Sequence, residues 1–555
     1  MNPYTLTERL ERELGDPRDS DRTFSYARCA EFDCTERFPD EICALLDGLG
    51  LAAFYVPTAF GGQLRDHTDL LQVIRALARR DFTVALAHCK TFLGSVCAWT
   101  TASPAQARAL ADRVLGGEVV SLALTERDHG SDLLAGDVSA VEVDGGYCLN
   151  GEKWLINNAT RAGTVCVLAR TDPAGGARGF SLLLVDKRGL SADSFRCLPK
   201  NYTLGVRAAD ISGIGFDDAS VPSDALVGDV GGGVEAVLKS LQLTRTLCGG
   251  MSLGIGDHSL RLAADFAARH EMYGRRLSDL PQAARTLAQA YADLLVCEAF
   301  TLVATRAIHS LTAEQSVISA AVKYFVPTTM DHVITRLAGV LGARSLLTTA
   351  YAHGAFEKLR RDHRIVGIFD GSSAVNLASL VNQFPAFVRG YRRGRIDTDG
   401  LVRATGGPLD ELRPQALSLM SRNGSSLVQG IPAGTDELLA LDAPAALASL
   451  AVRLREFADD LHDRLAAVRP SRQVAPNSLA MAAEYTRAMA AGACLRLWLD
   501  NRDVWPDGMW LRAALSRLLG VDDDAPDALL PRMWRQHGEG ALFSLYSCRL
   551  AEGLS

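Results

Sequence analysis

No CxxC pair occurs in the chain, and its 12 cysteines and 11 histidines show no zinc-site spacing. That absence argues against a metal centre or dithiol redox motif. The cysteines, of which Cys29 and Cys34 are the closest pair, read as buried thiols packed as small hydrophobes. The opening MNPYTLTERLERELGD is polar and reads as a surface helix, with no secretory signal, so a reducing cytoplasmic compartment is expected. No apolar run approaches the roughly 20 residues of a membrane span, so no integral membrane segment is expected. Basic charge is not in excess: 58 Lys and Arg stand against 65 Asp and Glu, a net −7. General affinity for nucleic acid is therefore not expected, although local arginine clusters suit phosphate groups on a small ligand. Internal repeats and low-complexity tracts are also missing.

What remains is a chain of 555 residues, 48% hydrophobic and 22% charged, the balance of a globular protein with large cores. At about 150 residues per domain it is long enough for three or four units. Residues 1–117 read as helical: Ile42–Leu46 and Leu70–Ala78 place apolar residues at i, i+3, i+4, and Val56-Pro57 with Gly61-Gly62 marks a turn between them. Over 118–225 the pattern changes to short β-prone runs, Thr164–Ala169 and Phe180–Val185 among them. Asp144-Gly145-Gly146, Asn150-Gly151 and Pro173–Gly176 separate the runs, so a small β barrel or sandwich is expected. Helical periodicity resumes after Gly231-Gly232-Gly233 and defines a helical bundle over 226–390. The charged, turn-rich GYRRGRIDTDG leads to a linker at 391–400, and 401–555 reads as a further helical domain. Within it Leu447–Ala467 is an amphipathic helix, and Trp498, Trp505, Trp510 and Trp534 point to a packed interior. The expected fold class is thus mostly α with a central β domain.

Four segments carry polar chemistry. Leu122–Asp132 (LALTERDHGSD) follows a strand and ends in a turn of Gly, Ser and Thr whose N–H and hydroxyl groups suit a phosphate or a polar ring edge, as well as an ordinary loop. Leu149–Ala159 (LNGEKWLINNA) is a hairpin turn entering a strand with a tryptophan and two amides. Around His270–Arg276 (HEMYGRR) a helix is expected to stop at Gly274 and the next to begin after Pro281; Arg275 and Arg276 read either as pyrophosphate ligands or as a solvated pair. Arg361–Ser373 (RDHRIVGIFDGSS) sets Asp370 between an aromatic and a Gly-Ser-Ser turn. Asp370 reads either as the N-cap of a helix Ser373–Val381 or as a carboxylate whose apolar neighbours make it a useful base.

In this order, the segments resemble the acyl-CoA dehydrogenase family over about residues 40–390. Leu51–Pro57 with Gly61-Gly62 resembles the family's "lgl-VPeeyGG", Ala123–Asp132 its "a-TEPgaGSD", and Asn150–Ala159 its "NG-K-WITNa". Leu204–Arg207 through Phe216 and Val221-Pro222 resembles "lG-R-s-t---F--V-VP". Tyr273-Gly274 with Gln282 resembles "R-QFG-----Q", and Phe369–Ser373 resembles "iyEGTs", which holds the common catalytic Glu.

The resemblance implies FAD, held between the β domain and the following helical domain. Leu124, Thr125, Ser131, Asn157 and Ser372 would line it. His270 and Tyr273 would reach the FAD of a neighbour in a homodimer or homotetramer, and Gly339 and Gly342 would contact the adenine side. Asp370 would be the base, with Ser131, Arg245 and Gly371 near the substrate. The implied reaction is α,β-dehydrogenation of an acyl thioester, of CoA or of an acyl-carrier protein, with an electron-transfer flavoprotein or O₂ as acceptor. A flavin-dependent oxidase or monooxygenase, or a non-catalytic relative, is the alternative. Departures from the pattern are Arg127 for Pro, His129 for a small residue, Leu155 for an aromatic, Asn157 for Thr or Ser, His270 for Arg, Gly339 for Gln, Ala343 for Gly and Asp370 for Glu. Some relatives carry the base just before the Arg matched by Arg245; here that residue is Thr244, which cannot serve.

Overall fold

A computed structural model describes residues 3–469 and 473–553; the first two residues of the expected N-terminal surface helix, and 470–472 and 554–555 of the C-terminal region, lie outside them. The chain divides into two compact units, one made of Arg28–Arg65 and Asp81–Thr244, the other of Met1–Ala27, Asp66–Arg80 and Arg245–Ser555.

The first unit is built on a sheet. Its strands are β1 (Val120–Ala123), β2 (Ser139–Val143), β3 (Gly146–Asn157), β4 (Thr164–Arg170), β5 (Phe180–Asp186), β6 (Phe195–Leu198), β7 (Ile211–Pro222) and β8 (Leu226–Val227). They lie in the order β6-β7-β3-β2-β4-β5-β8, with β1 added parallel to β4. β4 explains the unbroken apolar run of the sequence. Val165, Val167 and Ala169 enter one core cluster with Leu149 and Ile214, while Cys166 and Leu168 enter another with Phe180, Cys97 and Val237. A strand buried on both faces has no polar side to alternate with. The helix Phe82–Thr101 packs against this sheet and starts where the Asp81 carboxylate accepts from the Val84 N–H, a side-chain N-cap.

The second unit is helical. Its long elements are Gly233–Arg269 (from Arg245 onward), Pro281–Ser310, Gln315–Leu341, Ala445–Ala466, Pro476–Asp500 and Met509–Leu519. Pro281–Ser310 is, among the described residues, the one helix long and apolar enough to cross a membrane, which corrects the expectation that no such stretch exists; 94% of its apolar window is buried in the protein's own interior. The amphipathic stretch read at 447–467 is the helix Ala445–Ala466, with Leu447, Leu450, Leu454, Leu461 and Leu465 buried. Trp498, Trp505 and Trp510 are buried too, and the Trp505 indole N–H donates to the Leu545 carbonyl. Of the stretch 391–400, only 393–397 lies outside helix: Phe384–Arg392 ends before it, and Thr398–Thr405 follows, capped by Asp397 on the Gly400 N–H. The helix expected to run to Gly274 stops at Arg269. After it, Glu271–Met272 and Arg275–Arg276 form a hairpin closed by Tyr273 (φ 55°) and Gly274 (φ 72°). Two central residues with positive φ are what a two-residue hairpin turn requires, so Gly274 is a hairpin residue here.

Candidate active site

Asp370 follows the 3₁₀ turn Arg364–Gly367 and precedes the helix Ser373–Val381. It does not cap that helix. Ser372 does, its hydroxyl accepting from the Val375 N–H, so the capping role weighed for Asp370 falls two residues later. Asp370 (φ 54°) and Gly371 (φ 97°) instead make a left-handed corner. Asp enters that region more readily than most side chains, and Gly at no steric cost. A Cβ at 371 would also lie 2.9 Å from Arg245 Nη2.

Three polar side chains secure the corner. Arg245 donates from Nε to the Asp370 carbonyl at 2.9 Å. Lys323, fully buried, donates from Nζ to the Val366 carbonyl at 2.6 Å and to the Gly371 carbonyl at 3.3 Å, with Nζ 5.4 Å from the Phe369 ring centre. Asn376 reaches back from the first turn of the helix to the Gly371 and Ser372 carbonyls at 2.8 and 3.0 Å. The Cys248 thiol lies 3.8 Å from Asp370 Oδ2 and donates to it. Burial pushes the Arg245 guanidinium down from its ordinary value, opposed by Asp370 and Cys248; an arginine remains a cation under such a push. Thr244 is buried, its hydroxyl turned to the Leu241 carbonyl.

In the sheet unit, the loop after β1 is pinned by a buried ion pair. Lys153 on β3 donates to the Leu124 carbonyl at 3.0 Å and to Glu126 Oε1 at 2.7 Å. Glu126 also accepts from the Asp137 and Val138 N–H groups at 2.6 and 3.1 Å. Burial alone would raise its carboxyl, but the Asp137 N–H, Lys153 and the Val138 N–H outweigh it and hold the carboxyl below the usual range. The Thr125 carbonyl accepts from the Trp154 N–H, and the Trp154 ring lies under the Arg127 guanidinium at 4.9 Å. This frame leaves Leu124 and Thr125 half-buried, Ser131 exposed and Leu155 (φ 54°) exposed. Asn157 Oδ1 is buried without a hydrogen-bond partner among the described residues.

The predicted residues therefore fall on distinct elements. Arg245, Asp370, Gly371 and Ser372 come together in one corner of the helical unit. Leu124, Thr125 and Asn157 share the β1–β3 region of the sheet unit, and Ser131 sits further along the same loop. His270 stacks on Phe266 at 4.7 Å, and Tyr273 is 90% exposed at the hairpin tip. Gly339 lies in the last turn of Gln315–Leu341, and Gly342 (φ 58°) follows that helix, both facing open space. Lys323, Asn376, Cys248, Glu126 and Lys153 are the functional supports that sequence reading missed. A signal existed for Lys323, the one charge in SVISAAVKYFV.

Three family models match: the acyl-CoA dehydrogenase N-terminal domain over residues 18–118, the middle domain over 121–219 and the C-terminal domain over 231–383. The chain belongs to the acyl-CoA dehydrogenase family. A probable acyl-CoA dehydrogenase of Mycobacterium leprae is 27% identical over 347 residues, 62% of this chain and 87% of that protein. The cyclohex-1-ene-1-carbonyl-CoA dehydrogenase of Syntrophus aciditrophicus is 26% identical over 352 residues, 63% of this chain and 83% of that one. Among solved structures, an acyl-CoA dehydrogenase of Bacillus anthracis complexed with FAD superposes with a TM-score of 0.71 at 17% identity, covering 96% of this chain and 91% of that one. The fold likeness thus extends beyond residue 383, where the family models end.

Against this family, the sheet unit fits a flavin on one direct observation. An exposed apolar ledge (Leu155) and a half-buried hydroxyl (Thr125) share a strand neighbourhood with Asn157 Oδ1, a buried acceptor in want of a donor. A flat apolar ring with N–H groups on its edge meets all three needs.

Proposed function

We propose that the protein catalyses the FAD-dependent α,β-dehydrogenation of an acyl thioester, carried by CoA or by an acyl-carrier protein. The observation that supports it most is the Asp370 corner: a carboxylate on a backbone fixed from three sides, with a buried arginine on its own carbonyl. In this reading Asp370 removes the α-proton. Its backbone N–H donates to the thioester carbonyl, where negative charge grows as the proton leaves. A fixed donor there lowers the barrier because the protein need not reorganise. Arg245 holds the Asp370 carbonyl and so sets where carboxylate and N–H point; Arg245, Gly371 and Ser131 adjoin the substrate. FAD, when bound, supplies the acceptor for the β-hydride. Leu124, Thr125, Ser131, Asn157 and Ser372 would hold it. His270 and Tyr273 would touch the FAD of a second copy, in a homodimer or homotetramer, and Gly339 and Gly342 would contact the adenine side. An electron-transfer flavoprotein or O₂ would reoxidise it.

Asp is one methylene shorter than Glu, and a misplacement of about 1 Å costs on the order of a hundredfold. The left-handed corner is the local device that sets the reach of the shorter side chain. Anaerobic mixing of the FAD-loaded protein with a panel of acyl-CoA and acyl-carrier thioesters tests the reading by loss of the flavin absorbance. Asp370→Asn should keep its FAD and lose substrate bleaching by at least about a thousandfold. Wild-type bleaching by that variant would remove Asp370 from the mechanism, and a purified protein that takes up no FAD would remove the enzyme.

A further inference from the structure

A polar cavity of about 980 Å³ lies wholly inside the helical unit. One wall is the long helix at Arg261, Asp265 and Arg269, another the turn at His353, and a third the C-terminal segment from His537 to Glu552. Its charge is unevenly matched. Of its three acids, Glu539 is exposed, and Glu552 is taken by Arg79 at 2.9 Å, which is not part of the lining, by the Tyr26 hydroxyl at 2.8 Å and, at the longer distance of 3.9 Å, by Arg261 Nε. Asp265 is taken by His537 at 2.9 Å. The Arg549 guanidinium has no ion-pair or hydrogen-bond partner among the described residues, and Arg549 and His353 are exposed.

Arg261 is only 6% exposed. It donates from Nη2 to the Ala541 carbonyl and lies 4.7 Å from the Phe543 ring centre, and its Nε is ion-paired with Glu552 Oε2 at 3.9 Å, beyond hydrogen-bond length, with no closer acceptor among the described residues. His258, 3% exposed, likewise has an unpartnered Nδ1. Burial and then Arg79 push the His258 imidazole down to about 4. Burial would raise the Glu552 carboxyl, yet Arg79, Arg261 and His258 hold it well below the carboxylate range.

We propose that this cavity binds a phosphate-bearing small molecule of nucleotide size, anchored on Arg261 and flanked by Arg549 and His353. A buried guanidinium held by its own backbone contact is a preorganised, forked donor for phosphate. The volume is in the range of small-molecule sites. None of the proposed FAD contacts lines it, although Arg269, the neighbour of His270 in the chain, does. Its third wall lies beyond residue 383, where the family models end, so the cavity depends on the C-terminal extension.

The test is calorimetric titration of the full-length, FAD-loaded protein with inorganic pyrophosphate and, separately, ADP, at low and high salt. The expected result is one pyrophosphate per chain, weakening as salt rises, and tighter binding of ADP. Arg549→Glu and Ser547→Glu each place an acid on the lining without touching the Arg261 anchor. Each should weaken pyrophosphate by at least about tenfold, Arg549→Glu by losing one charge-assisted contact and adding a repulsive charge, Ser547→Glu by the repulsive charge alone, with flavin content unchanged. No heat with pyrophosphate up to about 10 mM, or a titration that both variants leave unaltered, would overturn the proposal.

Discussion

Lys323 is fully buried, and its amino group joins two carbonyls on either side of Asp370, those of Val366 and Gly371. Removing it leaves acceptors unmet at about 1–3 kcal/mol each and frees the corner to relax. Lys323→Met should therefore lower kcat by more than about tenfold with little change in KM, because the carboxylate is mispositioned while the rest of the substrate's contacts survive. A steady-state comparison decides it, and an equal loss through KM alone would assign Lys323 a merely structural part. His258 gives a prediction of another kind. It is stacked on Tyr26 at 4.6 Å and faces Arg79, Asp257 and Glu552. Its folded value of about 4 lies below the ordinary histidine value, so the unfolded chain takes up the proton first as pH falls. The stabilisation is whole above about pH 6.5 and drains away between there and pH 4, by up to about 3 kcal/mol. His258→Phe should flatten the fall of Tm across that window relative to wild type. Parallel melting curves from pH 4.5 to 7.5 would show otherwise if the two slopes coincide.

At the scale of elements, the helix Gly233–Arg269 meets the helix His67–Arg80 through glycines. A Cβ on Gly254 would lie 2.6 Å from the Arg75 carbonyl oxygen and 2.7 Å from the Arg79 nitrogen, both backbone atoms that cannot swing aside. Gly254→Val should cost about 3 kcal/mol or more by forcing the helices apart, and denaturant unfolding would read it as a lower midpoint. An unchanged midpoint would mean the crossing has slack. The same scale shows what was legible in the sequence. The strands of the sheet unit, the helix Ala445–Ala466 and the turns around Thr125, Asn150 and Asp370 were readable because periodicity and turn residues act within a few positions. The hairpin Glu271–Arg276 was not, since a glycine after a helix signals a stop and a hairpin alike until the partner strand is known. Nor was the choice of Ser372 over Asp370 as cap, which depends on φ and ψ that adjacent residues share. Lys323 and Arg245 are brought to the Asp370 corner by the packing of two long helices, so spacing along the chain carries no trace of Lys323 there, and Arg245 is marked only by the family resemblance. Asn376, by contrast, lies within four to five residues of the carbonyls it reaches.

Across the whole helical unit, buried charge is matched over hundreds of residues. Arg75 pairs with Glu298 at 2.6 Å, Arg79 with Asp257 at 2.8 Å and with Glu552 at 2.9 Å, and Arg80 with Glu11 at 2.8 Å, all almost fully buried. The C-terminal segment completes this set. The Phe543 N–H donates to Asp257, the Leu545 N–H and Ser544 hydroxyl donate to Glu298, and the Ala551 N–H donates to Glu11. Leu542, Phe543, Leu545, Cys548 and Leu550 add apolar cover. A buried ion pair contributes little net stability when whole, but stripping its partners costs about 3–5 kcal/mol each time. Deleting residues 541–555 would strip Arg79 of Glu552 and leave Asp257, Glu298 and Glu11 short of donors at once. That loss approaches the roughly 5–15 kcal/mol that holds a domain together. The truncated chain should therefore fail to fold, even though the deleted residues lie far beyond the family-matched core. Glu552→Gln, which keeps the shape and the Asp257 contact of Arg79, should fold with a lowered Tm. A truncated chain that purified soluble, with native far-UV circular dichroism and bound FAD, would show that the core carries its buried charges without the tail.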